Sequence, residues 1–465
     1  MTTDQPQTTI ASDTRFILSD PNLPVLQCDK LLRELPGKRQ VFSGNWGAHH
    51  VVAKLYSGAR ARRHWHREKR GSEALHKAQI SSPEVLFSGN LKDGRFVLIY
   101  QALPAAISAL EHWQNCDNND QRLKLLQQLI ELVAKIHKAG LIQTDIHLNN
   151  FLLSHDTLYA IDGDGIRCYP TLLHSRFYRK NLALLLAQLP ITTEALTQSA
   201  IPTYQDHHPQ AEQDFSRRLL NDLSRARRKR RLRYVAKCTR TCSEFVRRQS
   251  FSQLTVYRRD CHSNNLDAFL RDPDSFMEQG TLLKDGNSAT VAKVNTSDGA
   301  WVIKRYNIKG FFHGLKCGLR PTRAWISWRN AHRLSSSGIT TPQAIAVLEK
   351  RVGLWRRNCY YVSAWSAGSS AATLDVTAER QPTSQAESLV KLFQQLFVLQ
   401  IYHGDCKATN FLLNQGNPVI IDLDAMGESR WKWLFKLRYR KDRQRFLKNW
   451  PVDSPLHHYF NQKLP

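Results

Sequence analysis

Residues 404–413 read G-D-C-K-A-T-N-F-L-L, and residues 144–153 read T-D-I-H-L-N-N-F-L-L. In both stretches an aspartate is followed five residues later by an asparagine, and a further aspartate ends the next apolar run. The three polar positions recur with one offset of 260 residues: Asp145 and Asp405, Asn150 and Asn410, Asp162 and Asp422. Three equal offsets are hard to obtain by chance, so the sequence predicts an internal duplication.

The order of these polar residues is typical of a phosphoryl-transfer site of the protein-kinase type. Phosphoryl transfer needs positioning and charge neutralisation more than covalent help from the protein. One aspartate accepts the proton of the attacking hydroxyl, while an asparagine and a second aspartate hold magnesium ions at the phosphates of ATP. The predicted catalytic bases are Asp405 and Asp145. The predicted metal ligands are Asn410, Asp422, Asn150 and Asp162.

A lysine precedes each site in an alternating strand. V-V-A-K-L-Y carries Lys54, and W-V-I-K-R-Y carries Lys304. We expect both lysines to bind the α- and β-phosphates of ATP. Glu73 follows Lys54 by 19 residues on a helix that ends before Pro83, so Glu73 is predicted to orient that lysine. In the second half we would look for the glutamate near His332 or Asn330, and neither residue is acidic.

The elements around the two sites also repeat in order. Each lysine strand is followed by a helix that ends before Q-I-S-S-P or G-I-T-T-P, and then by an amphipathic helix that leads into the catalytic stretch. K-D-G-N-S-A-T-V, before Lys304, is either a phosphate-binding loop or a simple hairpin turn. We predict a disordered tail at residues 1–15, a first kinase-like domain at 16–240 and a second at 241–465.

These motifs together resemble the lipopolysaccharide kinase family, which phosphorylates heptose or Kdo sugars of the bacterial inner core. The stretches that carry the resemblance are Y-H-G-D-C-K-A-T-N-F-L-L, V-I-I-D-L-D-A-M, A-W-I-S-W-R-N-A-H-R-L with G-I-T-T-P, and R-K-D-R-Q-R-F-L. The resemblance implies ATP with magnesium, a Gram-negative host and lipopolysaccharide core glycolipid as the partner. It also implies an α+β fold of two tandem protein-kinase-like domains, each with a small β-rich N-lobe and a helical C-lobe.

The two halves depart from the family pattern at different positions. His403 stands two residues before the second catalytic aspartate, where the family's histidine braces the loop, but Gln143 stands at that place in the first half. The first half keeps Glu73, for which the second half has no acidic counterpart. We therefore expect the second site to be active and the first to be either active or a degenerate scaffold.

The chain carries 66 lysines and arginines against 40 aspartates and glutamates, a net charge of +26. Such a charge attracts polyanions, and no recognisable nucleic-acid module is present, so no specific nucleic-acid partner is expected. R-A-R-R-K-R-R-L-R at 225–233 is compatible with a cationic helical face. R-W-K-W-L-F-K-L-R-Y-R at 430–440 interleaves basic and aromatic residues, which suits either an anionic membrane surface or the core face of a helix.

The polar start of the chain lacks the apolar core of a secretory signal, and no apolar run approaches the roughly 18 residues that span a bilayer. The nine cysteines include no C-x2-C pair and are expected to be reduced thiols rather than metal ligands. We therefore expect a cytoplasmic protein that is peripheral on the inner membrane.

Three other functions share parts of these motifs. A small-molecule kinase of the aminoglycoside or choline type has a similar H-G-D…N…I-D pattern, but its cationic substrates suit a chain of charge +26 poorly. A protein kinase would be expected to carry an A-P-E-like anchor after Asp422, and we find none in the sequence. A paired pseudokinase scaffold would bind nucleotide without transferring phosphate.

Overall fold

The computed structural model describes residues 14–169, 174–208, 214–307, 321–353, 355–375 and 383–465. The chain divides into two compact units, which consist of Met1–Leu189 with Thr193–Ala226 and of Pro190–Thr192 with Arg227–Pro465. The division falls within a helix, Phe215–Lys237, whereas the sequence placed the boundary near residue 240. The predicted tail falls mostly on residues 1–13, outside the described residues, and Thr14 and Arg15 at its end belong to a strand.

The first unit contains a six-stranded antiparallel sheet. Its strands, in spatial order, are Thr14–Phe16, Leu26–Leu35, Arg39–Trp46, His49–Tyr56, Phe96–Gln101 and Val85–Asn90. Val51, Ala53 and Leu55 alternate along a central strand and are buried, which explains the period of two in the sequence. Lys54 lies between them, on the opposite face of the sheet.

A helix, Ala61–Lys77, follows the lysine strand and packs against the turn at Gly163–Gly165. Gly71 is the closest point of this contact, since a Cβ atom added there would lie 1.9 Å from the backbone oxygen of Gly163. Only glycine allows this approach, which brings the helix backbone against the turn that carries Asp162.

Helices and short strands make up the rest of the first unit. Among the described residues, the helices of at least six residues are Ala109–Asn115, Asn119–Lys138, His174–Leu186, Glu194–Ala200 and Pro202–His207, together with the part of Phe215–Lys237 that ends at Ala226. The short antiparallel strands are Ile107–Ser108, Phe151–Ser154 and Thr157–Ala160 in one sheet, and Leu141–Gln143 with Ile166–Cys168 in another. Asn119–Lys138 is the central helix of this part and buries Leu125, Leu129, Ile130 and Val133.

The second unit begins with a seven-stranded antiparallel sheet. Its strands, in spatial order, are Phe245–Gln249, Gln253–Arg258, Ala344–Val352, Trp355–Ala364, Gly299–Tyr306, Ala289–Thr296 and Thr281–Gly286. The short strands are Ser369–Ser370, Phe411–Asn414 and Asn417–Ile420 in one sheet, and Ile401–Tyr402 with Gly427–Glu428 in another. The helices of at least six residues are Asn264–Arg271, Pro273–Glu278, Arg323–Ser335, Ser384–Leu399, Lys432–Leu447 and Pro455–Lys463.

The same order of elements surrounds the predicted site in each unit. In both units a 3₁₀ turn ends at the asparagine that lies five residues after the predicted catalytic aspartate. These turns are Leu148–Asn150 and Ala408–Asn410. A short hairpin follows, and a second 3₁₀ turn then begins directly after the last aspartate, at Gly163–Gly165 and at Leu423–Ala425. The fold is therefore mixed α/β, with a sheet-rich part and a helical part in each unit.

The basic run at 225–233 is not a uniformly solvated face. Arg231 is 4% exposed and donates to Glu428, whose side chain is 3% exposed, at 2.7 Å. Arg228 lies 3.1 Å from the same carboxylate. Charges removed from water in this way need a partner, so part of the run stabilises the second unit rather than serving a ligand.

No helix among the residues that the structure describes is long and apolar enough to cross a membrane.

Candidate active site

The last aspartate of each motif lies at an unusual point of the backbone. Asp162 has φ 69° and ψ 69°, and Asp422 has φ 59° and ψ 62°. A left-handed backbone is uncommon for a non-glycine residue and costs on the order of 1 kcal/mol. Each carboxylate is therefore held by the structure around it, which is common where a side chain must point into a site.

In the second unit, this turn delivers two carboxylates to one lysine. Lys304 Nζ contacts Asp422 Oδ1 and lies 3.0 Å from Asp424 Oδ2. Arg323, at the start of helix Arg323–Ser335, donates to the same oxygen of Asp424 at 2.8 Å. The strand lysine, the turn and the helix are thus joined by one charged cluster.

The catalytic stretch is closed by the same hydrogen bond in both units. Asn410 Nδ2 donates to the backbone oxygen of Asp405 at 2.8 Å, and Asn150 Nδ2 donates to that of Asp145 at 2.7 Å. The bond uses the amide nitrogen, so the amide oxygen remains the natural ligand for a metal ion.

The difference between His403 and Gln143 is smaller in the structure than the sequence suggests. His403 Nε2 lies 3.0 Å from the backbone oxygen of Ile421, the residue before Asp422. Gln143 Nε2 donates at 2.8 Å to the equivalent oxygen, that of Ile161. A side-chain N–H therefore braces the turn of the last aspartate in both units, and the glutamine reproduces this contact of the histidine.

Asp442 is a positioning residue that sequence reasoning did not identify. It is buried on helix Lys432–Leu447 and accepts from the backbone N–H groups of His403 at 2.6 Å and Gly404 at 3.0 Å. Burial raises the pKa of Asp442 above its ordinary value, against the effect of these donors. The sequence did contain a sign of this role, because R-K-D in the second half aligns with R-K-N in the first. The asparagine of R-K-N, Asn181, donates to the backbone oxygen of Gln143 at 2.8 Å.

The structure corrects the prediction that Glu73 orients Lys54. Lys54 Nζ contacts Glu68, which is completely buried, and lies 3.5 Å from Asp162. Glu73 is exposed and lies 3.8 Å from Lys69. The reason is helix phase, because residues five apart on a helix differ by about 140° in direction and cannot both face the sheet.

Glu68 also ties the lysine to the turn that follows Asp162. Its carboxylate accepts from Tyr100 Oη at 3.0 Å, from the Gly163 N–H at 3.3 Å and from the Asp164 N–H at 3.0 Å. Because a buried carboxylate needs several donors, these bonds explain how a charged group is accommodated there.

Arg39 brings a second cation to the first site. Its Nη1 atom lies 3.4 Å from Asp162 Oδ1. Burial raises the pKa of Asp162, but the charges of Lys54 and Arg39 outweigh that effect and hold it below its ordinary value. The same balance holds for Asp422, with Lys304 as the principal neighbouring charge.

The second unit has no glutamate at the position of Glu68. When Pro83 is aligned with Pro342, Glu68 aligns with Ser327. Ser327 shares a 2.9 Å hydrogen bond with Tyr306. Asn330 instead donates to the backbone oxygens of Leu423 and Met426, at 2.9 and 2.8 Å.

His332 was the other residue near which we looked for a glutamate. Burial lowers the pKa of His332 to about 3, so it is a neutral residue packed in the core. Lys304 consequently relies on Asp422 and Asp424, which the second turn supplies.

A cavity of about 340 Å³ lies at the second site. Apolar side chains form one part of its wall, among them Val291, Val302 and Leu412, and polar groups form another, among them Lys304, Asn410 and Asp422. The segment K-D-G-N-S-A-T-V forms the turn of a hairpin between Thr281–Gly286 and Ala289–Thr296, and Lys284 and Ser288 line the cavity. A cavity of this size that combines apolar side chains with a lysine and a carboxylate fits a purine nucleotide and its phosphates.

Asp405 is half-buried and has a cation beside it. Lys407 Nζ lies 2.9 Å from Asp405 Oδ2. His147 takes the place of Lys407 in the first unit, where Asp145 is exposed. Lys407 is therefore a further candidate for phosphate binding that the spacing of aspartate and asparagine did not reveal.

Across the described ranges, no cluster of three or more His, Cys, Asp or Glu side chains forms a self-contained metal site. Magnesium in nucleotide sites is commonly held by one or two protein oxygens together with phosphates and water. Asn410 and Asp422, or Asn150 and Asp162, match that kind of ligand set.

The comparisons with known proteins agree with this chemistry. The sequence model of the lipopolysaccharide kinase (Kdo/WaaP) family matches residues 37–205 and 268–447, together well over half of the chain. The chain belongs to this family. It is therefore a kinase, and the predictions of the family and of an ATP-dependent phosphotransferase with an alcohol acceptor are confirmed.

Among solved structures, the chain is similar to vaccinia related kinase 3, with 8% identity and a TM-score of 0.26 over 34% of this chain. The match spans 53% of that kinase, about half of its length. No curated protein sequence matches the chain.

Substitution of Glu68 tests whether this residue, rather than Glu73, is the charged partner of Lys54. We expect Glu68→Gln to lower the free energy of unfolding of the first unit by about 3 kcal/mol, because a buried lysine loses its charged partner. The matched control Glu73→Gln changes an exposed carboxylate and should shift stability by less than about 0.5 kcal/mol. Urea unfolding of the full chain, followed by tryptophan fluorescence, measures both. Equal effects of the two substitutions would contradict the assignment of Glu68.

Proposed function

We propose that the two units are tandem protein-kinase-like domains and that the second one phosphorylates a sugar of the lipopolysaccharide inner core. The acceptor is a hydroxyl group of heptose or Kdo, and the donor is ATP with magnesium. The observation that carries this proposal is the convergence of Lys304, Asn410 and Asp422 on one cavity with an apolar wall. Membership of a lipopolysaccharide kinase family supports the substrate class.

The residues of the second site divide the work of phosphoryl transfer. Asp405 would accept the proton of the sugar hydroxyl, and Lys304 would hold the α- and β-phosphates. Asn410 and Asp422 would hold magnesium, which neutralises the charge on the phosphates when it is bound. Lys407, beside Asp405, would contact the transferred phosphoryl group.

Charge balance favours the second unit as the principal active site. In the first unit, Asp162 has both Lys54 at 3.5 Å and Arg39 at 3.4 Å, so a magnesium ion would have to compete with two cations. In the second, Arg323 pairs with Asp424 and leaves Asp422 with Lys304. We infer that the first unit is a degenerate scaffold or a weaker kinase.

Replacement of the two bases tests this assignment. We expect Asp405→Asn to reduce phosphate transfer to core oligosaccharide by at least about 100-fold, because general-base catalysis contributes roughly that factor or more. The control Asp145→Asn, the same change at the matching position, should retain most of the activity. Transfer is followed with radiolabelled ATP, and the product is identified by mass spectrometry as a gain of one phosphate.

Two other results would revise the proposal. Full activity of the Asp405→Asn variant would remove Asp405 from the mechanism, and loss of activity only in Asp145→Asn would assign catalysis to the first unit. Nucleotide binding without transfer in the unchanged protein would favour the paired pseudokinase. A cytoplasmic location at the inner membrane is part of the proposal, because the acceptor glycolipid is assembled there.

The second unit also exposes an aromatic–basic face, which we define as Trp431, Lys432, Trp433, Lys436 and Leu437. Trp431, Trp433 and Leu437 are 59%, 62% and 52% exposed. The core face of the same helix is formed by other residues, among them the buried Phe435 and Tyr439. Large exposed apolar groups among lysines suit an anionic lipid surface, and we propose that this face binds one.

Substitution of the two tryptophans tests the membrane proposal. We expect Trp431→Ser with Trp433→Ser to weaken binding to phosphatidylglycerol vesicles by about tenfold or more, because two interfacial aromatic side chains are lost. Phe251→Ser with Val452→Ser, which removes apolar side chains that are 74% and 72% exposed elsewhere in the same unit, serves as the control. Vesicle co-sedimentation measures the binding. An equal loss in both variants would contradict a dedicated face.

A further inference from the structure

A second cavity, of about 430 Å³, lies in the first unit, and its lining includes neither the lysine nor the aspartates of the predicted kinase site. Nine residues line it: Arg63, Arg67, Arg70, Gly71, Ala74, Leu141, Ile166, Arg167 and Cys168. Four of the nine are arginines, and no lining residue is acidic. A concave surface with this charge is built for an anion rather than for an apolar ligand.

The arginines converge because of helix geometry. Arg63, Arg67 and Arg70 are spaced by four and three residues on helix Ala61–Lys77, so they lie on one face. Arg167 comes from strand Ile166–Cys168, which contacts the same helix. Glu68 is buried on another face of this helix, where it pairs with Lys54, and does not neutralise the cavity.

The available counter-charge is small. Arg67 is partly satisfied by Asp164, with Nε 2.8 Å from Oδ1 and Nη2 donating to the backbone oxygen at 3.2 Å. Asp164 also lies 3.8 Å from His64. Arg167 donates to the backbone oxygen of Ile166 at 2.6 Å. The side chains of Arg63 and Arg70 have no hydrogen bond or ion pair with any residue that the structure describes, so two guanidinium groups remain for a ligand.

We propose that this cavity binds a phosphate monoester group. A guanidinium group presents parallel N–H donors that match two phosphate oxygens, and a dianion can accept from two arginines at once. Four guanidinium groups around one site repel each other, and a bound dianion relieves that repulsion. The cavity is small, about 430 Å³, and its arginines come from one helix face and one short strand, which favours a single phosphate group over an extended nucleic-acid backbone that needs a long positive track.

The position of this site gives it a consequence for the first unit. A phosphate bound there would bridge the helix that carries Glu68 and the strand that follows the Asp162 turn. Both elements would be held more firmly, so binding should raise the thermal stability of the first unit. This site is independent of the proposed sugar kinase activity of the second unit, and its test needs no phosphate transfer.

Titration of the full chain with glycerol phosphate, measured by calorimetry, tests the proposal. We expect saturable binding at low salt, and at least tenfold weaker binding in the variant Arg63→Gln with Arg70→Gln. The control is Arg60→Gln with Arg62→Gln, which removes the same charge from two exposed arginines at the start of this helix that do not line the cavity. The Asp405→Asn background removes turnover from the measurement, and ATP is absent.

Two further arms distinguish the source of the phosphate. In the first arm, glycerol phosphate competes with phosphatidic acid vesicles for the protein. If the two compete, and if only the Arg63/Arg70 variant loses binding of both ligands, a lipid phosphate also enters the cavity. Binding of the soluble ester without such competition would restrict the ligand to soluble phosphates, and either result supports the site. Equal weakening in the two double variants, or no saturable binding in the unchanged protein, would overturn it.

Discussion

The pairing of one lysine with two carboxylates, at least one of them from a left-handed turn, is the interaction on which both sites depend. A lysine on a central strand, at the edge of an apolar cleft, is costly unless a negative charge is close to it. In the first unit Glu68 and Asp162 supply that charge, and in the second Asp422 and Asp424 supply it. The requirement fixes the helix, the strand and the turn relative to each other, and it holds the residues that we propose to bind a nucleotide.

The two units satisfy this requirement by different means. The first keeps a buried glutamate on the helix and adds Arg39 beside Asp162. The second has Ser327 at the glutamate position, anchors its catalytic stretch through Asp442 and places Lys407 beside Asp405. Two sites that differ in this way need not share one activity. Magnesium binds a carboxylate only if it can displace the lysine or arginine side chains that already neutralise that carboxylate.

Sequence spacing predicted the parts that are local and missed those that depend on packing. The bond from Asn410 to Asp405 and its copy in the first unit lie within five residues, so the motif contained them. Glu68 was missed because the phase of a helix against a sheet cannot be read from distance along the chain. Arg39 reaches Asp162 across 123 residues, and no local pattern announces such a contact.

We propose that Lys304, with its two carboxylates, belongs to a working nucleotide site. Calorimetry of magnesium-ATP binding to the full chain, compared between Lys304→Met and Lys54→Met, tests it most directly. We expect Lys304→Met to weaken binding at the principal site by at least tenfold, and Lys54→Met to change binding at that site by less than twofold. Unchanged binding in a folded Lys304→Met variant would contradict it.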